Sequence, residues 1–79
     1  METLIKASPG RYKIVKIKAN CPAATRRLMI LGIFEGDKIE LIKPAPGPVI
    51  LEKNGTRIGI GQGLAAGIVV EELKEDKDK

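Results

Sequence analysis

The segment from Arg26 to Ile42, RRLMILGIFEGDKIELI, predicts a short helix with an abrupt stop, a tight turn and then a strand. Gly32 stands where the helix should end, because glycine adopts the left-handed backbone of a helix stop without a steric penalty from a Cβ atom. If Gly32 ends the helix, Leu28 and Ile33 are the pair that makes the hydrophobic contact of a Schellman motif. The chain therefore leaves the helix in a defined direction.

The helix itself is predicted to begin at Asn20-Cys21-Pro22, since Asn caps helix N-termini well and Pro is tolerated in the first turn. Three apolar residues at helical spacing form one stripe that faces the core: Ala24, Leu28 and Leu31. Arg26, Arg27 and Ile30 lie off this stripe, and packing against a core does not explain the two arginines.

Five short segments have the composition of strands: Arg11–Lys18, Asp37–Lys43, Val49–Lys53, Thr56–Ile60 and Ile68–Glu72. In the first, Tyr12 and Ile14 share one face while Val15 and Ile17 share the other, and this change of phase predicts a bulge. Glu35-Gly36 predicts the turn that precedes the second strand.

The connections complete the predicted fold. Asn54-Gly55 is a strong hairpin signal. Pro44–Pro48 predicts a stiff exposed loop, because three of its five residues lack an N–H group. The glycine-bounded segment 61–67 predicts a short helical turn before the last strand. The sequence thus predicts a mainly β domain, a small closed five-stranded barrel with one helix inserted after the first strand.

Length and charge define one domain and a tail. The 79 residues, 43% of them hydrophobic, suit a single domain with a modest core, which we assign to residues 1–72. Residues 73–79 alternate charges without apolar spacing and predict a flexible tail. The acids concentrate from Glu71 onward, which leaves residues 1–70 with a net charge of +6.

Cellular location is expected to be cytoplasmic. No apolar run approaches the roughly 20 residues of a membrane-spanning helix, so no membrane insertion is expected. Cys21 is the single cysteine and cannot form an internal disulfide, which suits a reducing compartment. Cys21→Ser should leave stability and partner binding nearly unchanged, since Ser also suits a helix start; loss of binding in that variant would contradict this expectation.

The residues that usually carry chemistry are scarce. The chain has no His and one Cys, so a Cys/His metal cluster within one chain and a His-based nucleophilic site are both excluded. Gly61-Gln62-Gly63 is too incomplete a glycine pattern for a phosphate loop. A carboxylate metal site is harder to exclude, but Glu35, Asp37 and Glu40 lack the spacing of an EF-hand. We expect no catalytic residue, no cofactor and no metal ligand, and a protein that acts without enzymatic activity.

Three segments together resemble the FeoA family, the small cytosolic proteins of bacterial ferrous-iron uptake: Leu4–Gly10 (LIKASPG), Arg26–Ile42 and Ile58–Glu71. The resemblance spans roughly residues 3–72. It implies an SH3-like barrel, also similar to the C-terminal domain of iron-dependent repressors. It further implies a role in assisting the membrane GTPase transporter FeoB, without enzymatic activity.

The chain departs from the family pattern in two respects. Glu35 stands where relatives often have Pro before the second glycine, and Gly61 and Leu64 stand where relatives usually have charged residues. The second departure predicts an apolar patch near Leu64, which could support a homo-oligomer.

A regulator without catalytic residues acts through contact, and its contact residues are those that packing does not require. We therefore predict that Arg26 and Arg27, with Phe34 and Glu35 from the nearby turns, contact the transporter, because Arg is enriched among binding hot spots. The competing interpretation is that these arginines only solvate the helix and pair with Glu35 or Asp37. Leu64 is an alternative contact or a self-association patch.

Two other functions stay open. One is a stand-alone regulatory domain of the iron-repressor type. The other is a small-barrel nucleic-acid binder, which the basic body and Tyr12 support but the shortage of aromatic residues and of a DNA-reading helix pair weakens. No DNA partner is expected. A transporter gene next to the gene for this chain would favour the FeoB-linked role.

Overall fold

The structure is a computed structural model, and it describes residues 1–18 and 22–73. Its elements, in chain order, are β1 (Glu2–Thr3), β2 (Gly10–Ile17), α1 (Pro22–Leu31), β3 (Lys38–Lys43), β4 (Val49–Lys53), β5 (Thr56–Ile60), α2 (Gln62–Ala65) and β6 (Ile68–Glu72). The strands form one antiparallel sheet in the order β1-β6-β2-β3-β4-β5. The mainly β class with one inserted helix is confirmed.

The strand count differs from the expected five. The additional strand is β1, in which Glu2 pairs with Val70 and Thr3 with Val69. Two residues are too few to show the alternation that identifies a strand in sequence. The predicted docking of this segment is nonetheless correct, since Leu4 is fully buried in the core. The pairing order places β1 and β5 at the two ends of the sheet, and closure into a barrel stays a prediction.

The bulge predicted in the first strand is confirmed. The register of β2 against β6 shifts between Ile14 and Lys16. Tyr12 and Ile14 are buried, whereas Val15 and Ile17 are half-buried. The extra residue increases the local twist of the strand. β2 pairs with β3 over residues 10–13 and with β6 over residues 12–17.

Tyr12 belongs to this core, with 4% of its surface exposed. Its hydroxyl donates a hydrogen bond to the carbonyl oxygen of Ser8 at 2.6 Å. Burial raises the pKa of Tyr12, with further contributions from the negative charges of Glu2 and Glu72. Tyr12 is therefore not available to stack on a nucleic-acid base, and the interpretation that relied on it loses one of its two supports.

The hairpin predicted at Asn54-Gly55 is confirmed. Asn54 has φ 53° and Gly55 has φ 82°, so both central residues adopt the positive φ that a type I′ turn requires. The turn aligns Lys53 at the end of β4 with Thr56 at the start of β5. It thereby fixes the position of Lys53 at the end of β4.

The proline loop at residues 44–48 is exposed at Pro46 and Pro48, as predicted, but half-buried at its other three residues. Ala45 packs against the core. The backbone N–H of Gly47 donates to Oε1 of Gln62 in α2 at 2.5 Å. The predictions for Asn20, for Cys21 and for the tail from residue 74 lie outside the described residues, so the boundary at residue 72 stays an expectation.

Candidate functional site

The end of α1 has the geometry that its sequence predicts. Gly32 has φ 80°. Its N–H donates to the carbonyl oxygen of Met29 at 3.0 Å, and the N–H of Ile33 donates to that of Leu28 at 2.9 Å. This pair of hydrogen bonds defines a Schellman motif, and its two apolar residues, Leu28 and Ile33, are both buried. The helix therefore stops at one place and in one direction.

Lys53 holds the segment that follows the stop. Its Nζ donates to the carbonyl oxygen of Gly32, forms an ion pair with Oδ2 of Asp37 at 2.8 Å, and lies 5.5 Å from the centre of the Phe34 ring. Asp37 Oδ2 also accepts a hydrogen bond from the N–H of Phe34 at 2.8 Å. The Lys53 and Asp37 side chains are 20% and 21% exposed. We call residues 32–37 the corner, and Lys53 ties it to the end of β4.

The corner is also tied to β2. The N–H of Gly36 donates to the carbonyl oxygen of Ile14 at 2.7 Å, and the N–H of Ile14 donates to that of Asp37 at 2.8 Å. Oε2 of Glu35 accepts a hydrogen bond from the N–H of Ile17 at 3.0 Å. The corner is therefore a rigid platform beside α1, which suits a surface that a partner contacts.

Sequence reasoning gave Lys53 no role. The residue lies 16 positions or more from the corner residues that it contacts, and a lysine at the end of a strand normally predicts a solvated side chain. Only the hairpin signal at Asn54-Gly55 pointed to a fixed position for it. Its partners were not predictable, because they depend on the pairing of β4 with β3, the strand that follows the corner.

Apolar side chains are exposed along α1 and at the corner. Ile30 is 77% exposed, Met29 57% and Phe34 47%. Two neighbouring grooves share Thr25 and Met29. The first groove, of about 530 Å³, is lined by Pro22, Thr25, Arg26, Met29 and Ile30. The second, of about 400 Å³, is lined by Ile17, Thr25, Leu28, Met29, Ile33, Phe34 and Glu35. We call these together the helix face.

The structure places three of the five predicted contact residues on this helix face. Arg26 lines the first groove, and Phe34 and Glu35 line the second. Arg27 is exposed on the same helix but lines neither groove. Leu64 lies apart in α2, where it is half-buried and packs against the core. Packing explains at least part of Leu64, whereas it does not explain the arginines.

The ion pairs that the competing interpretation gives to the arginines do not form within the described part of the chain. The carboxylate of Glu35 bonds to the backbone of β2, and that of Asp37 pairs with Lys53. Among the residues that the structure describes, neither Arg26 nor Arg27 forms an ion pair. Two positive charges therefore remain available next to exposed Met29 and Ile30, residues that sequence reasoning did not assign to the contact.

Neither a cluster of metal ligands nor a membrane-spanning helix is found in the described ranges, 1–18 and 22–73. No three carboxylate or thiol side chains there lie close enough together to hold a metal ion. None of the helices found in these ranges has the length and apolar character needed to cross a membrane.

We predict that the domain folds without metal. Thermal unfolding curves recorded with and without a strong chelator are expected to coincide. A metal that binds only the folded state would add to the free energy of unfolding, and its removal by the chelator would lower the melting temperature. The control is a melt after dialysis against excess Fe²⁺ under anaerobic conditions. A large fall of the melting temperature in chelator would contradict this prediction and reveal a metal site.

Comparison with known proteins gives a consistent family. The FeoA domain family matches residues 3–72. The chain is 44% identical over 75 residues to "Putative Fe(2+) transport protein A" of Methanocaldococcus jannaschii, an alignment that covers 94% of this chain and 90% of that protein. It is 30% identical to a protein solved by crystallography as "Iron Uptake Regulatory Protein (FeoA)", with a TM-score of 0.77 over 91% of this chain and 96% of the other.

A likeness at lower identity concerns the fold alone. The chain superposes on the manganese regulator SloR with a TM-score of 0.82 and 19% identity. The match covers 91% of this chain but only 34% of SloR. The same small β domain thus occurs as part of a longer regulator.

Proposed function

Because the chain belongs to the FeoA family, we propose that it is a non-enzymatic accessory protein of ferrous-iron uptake that acts by contact with the cytosolic part of a FeoB-type GTPase transporter. The name of the M. jannaschii relative supports the link to Fe²⁺ transport. The protein is proposed to act by binding: it offers a preformed surface, while GTP hydrolysis and iron transport are carried out by the transporter.

The observation that carries the proposal is the helix face together with Arg27. It combines exposed apolar side chains, Met29, Ile30 and Phe34, with arginines that neither packing nor ion pairing accounts for. Interfaces are enriched in Met, aromatic residues and Arg relative to the remaining protein surface. The corner that borders this face is held by Lys53 and Glu35, so little conformational entropy should be lost there on docking.

Removal of both arginines is expected to weaken binding to the transporter. Arg26→Ala with Arg27→Ala should raise the dissociation constant for the transporter's soluble cytosolic domain about tenfold or more, a loss of about 1.4 kcal/mol or more of binding free energy. The melting temperature should hardly change, because both side chains are exposed. Isothermal titration calorimetry measures the first quantity and circular dichroism the second.

The control removes the same charge elsewhere. Lys13 and Lys38 are directly opposite each other on β2 and β3, so Lys13→Ala with Lys38→Ala also lowers the net charge by two. This variant should bind nearly as well as the wild type. Equal weakening by the two double variants would mean that only overall charge matters, and an arginine double variant that binds like the wild type would exclude this contact site.

A second candidate function rests on the superposition with SloR: a stand-alone regulatory domain of the repressor type. The likeness supports this function only through the fold. Titration of the isolated transporter domain separates the two candidates, because a repressor-type domain has no reason to bind it.

A further inference from the structure

The chemistry of the surface on the transporter can be inferred from the helix face, provided that the proposed contact is correct. We propose that the helix face binds an amphipathic helix of the partner whose apolar side chains enter the two grooves and whose acidic side chain pairs with Arg26. This inference names the partner's chemistry and adds Met29 and Ile30 to the contact residues.

The shape of the face favours a helix as its occupant. The two grooves share Met29 and Thr25, so they form two adjoining depressions on the side of α1. The 10 residues of α1 extend over about 15 Å, and a partner helix of three turns would match that length. A helix places apolar residues three or four positions apart on one side, which suits two depressions next to each other.

An extended peptide fits this face less well. Extended peptides bind mainly by adding a strand to a free sheet edge, where backbone N–H and C=O groups are available. Within α1 those groups bond to each other along the helix, so the face offers side chains instead. Met29 is suited to this role, because a flexible thioether side chain adapts to an apolar partner.

The charges favour an acidic partner. Arg26 lines the first groove, and among the described residues it has no carboxylate partner. The acid that lines the grooves is Glu35, and its carboxylate accepts a hydrogen bond from the N–H of Ile17. An approaching carboxylate would therefore meet an uncompensated guanidinium, whose planar fork of donors matches it well.

The same charges disfavour two other occupants. A second copy of this chain would bring its own Arg26 and Arg27 towards those of the first, with Glu35 already bonded to β2. The chain's own residues 74–79, KEDKDK, include acids but no apolar side chain that could fill the grooves. A foreign amphipathic helix can supply both the acidic side chain for Arg26 and the apolar side chains for the grooves.

The test is a titration of the full chain with the soluble cytosolic domain of the FeoB-type transporter encoded in the same genome. Met29→Gln with Ile30→Gln should raise the dissociation constant about tenfold or more, while the melting temperature hardly changes because both side chains are largely exposed. The matched control is Ile50→Thr, an apolar-to-polar change at a half-buried position of β4 outside both grooves, and it should bind like the wild type.

A salt series tests the acidic part of the proposal. The dissociation constant of the wild type should rise clearly between 50 and 300 mM NaCl, and that of Arg26→Gln should rise less, because one screened ion pair is missing. If the two proteins respond equally to salt, the acidic partner at Arg26 is excluded. A filtered NMR experiment on the complex identifies the partner residues that contact α1. If their chemical shifts are those of a β-strand and not of a helix, the helical occupant is excluded.

The outcomes separate this inference from the function on which it rests. If the wild type does not bind the transporter domain, the proposed function fails and this inference fails with it. If the wild type binds and the Met29/Ile30 double variant binds equally well, the function stands and the inference is wrong. A dimer of the wild type in sedimentation velocity that the double variant abolishes would assign the face to a second copy and overturn the inference.

Discussion

Gly67→Ala should lower the free energy of unfolding by about 3 kcal/mol or more, because a Cβ atom at this position would overlap the carbonyl oxygen of Lys18. The carbonyl carbon of Lys18 would lie only 3.2 Å from the added Cβ. Both obstructing atoms belong to the backbone, which cannot rotate aside as a side chain does. The N–H of Lys18 also donates a hydrogen bond of 2.6 Å to the carbonyl oxygen of Gly67. Moving the two backbone segments apart to admit the Cβ would break this bond. Urea denaturation measures the loss.

Gly63→Ala is the matched control for this substitution. Gly63 lies in α2, and nothing lies within 4 Å of the place that its Cβ would occupy. Since Ala has a higher helix propensity than Gly, this variant should be unchanged or more stable by up to about 1 kcal/mol. If Gly67→Ala proves as stable as Gly63→Ala, the close approach of β6 to the end of β2 is not as the structure has it.

Lys53→Met should destabilise the domain by about 2–3 kcal/mol, because it removes three interactions of one partly buried ammonium group. The variant leaves the Gly32 carbonyl without its side-chain donor and Asp37 without its cation, and it removes the contact with the Phe34 ring. Met keeps most of the apolar stem, so the effect reports on the charge. For a domain of this size, the melting temperature should fall by about 10–20 °C.

A local readout and a control sharpen this second experiment. Amide hydrogen exchange at Ile33 and Gly36 should accelerate more than at the centre of the sheet, since the corner loses its tie to β4. Lys13→Met removes an exposed lysine that is opposite Lys38 and should change stability by no more than about 0.5 kcal/mol. Equal effects of the two substitutions would show that Lys53 does not hold the corner.

The features that sequence predicted correctly are those that neighbouring residues determine. Gly32 requires a positive φ, and the hydrogen bonds of its helix stop join residues at most five positions apart. The Asn54-Gly55 turn is equally local, and the β2 bulge is visible as a change of phase within six residues. In each case the backbone conformation follows from residue type and spacing, without knowledge of the rest of the fold.

The features that sequence missed depend on contacts between distant segments. Lys53 at the end of β4 contacts the corner that precedes β3, at least 16 positions earlier in the chain. Gly67, just before β6, lies against Lys18, just after β2. Of the proposed contact residues, Arg26 and Arg27 were predicted because they lie off the apolar stripe of α1. Met29 was not, because an apolar residue in a helix predicts burial until the structure shows which side faces the core, and Ile30 was placed off the stripe but given no role.

The pairing of β1 with β6 also determines how this domain can be joined to other proteins. Glu2 is opposite Val70, so the chain enters and leaves the domain side by side at one edge of the sheet. A host protein could therefore carry the whole unit as an insertion in a single surface loop, or as an appended module, without spanning its width. The geometry suits a unit that is exchanged intact between larger proteins.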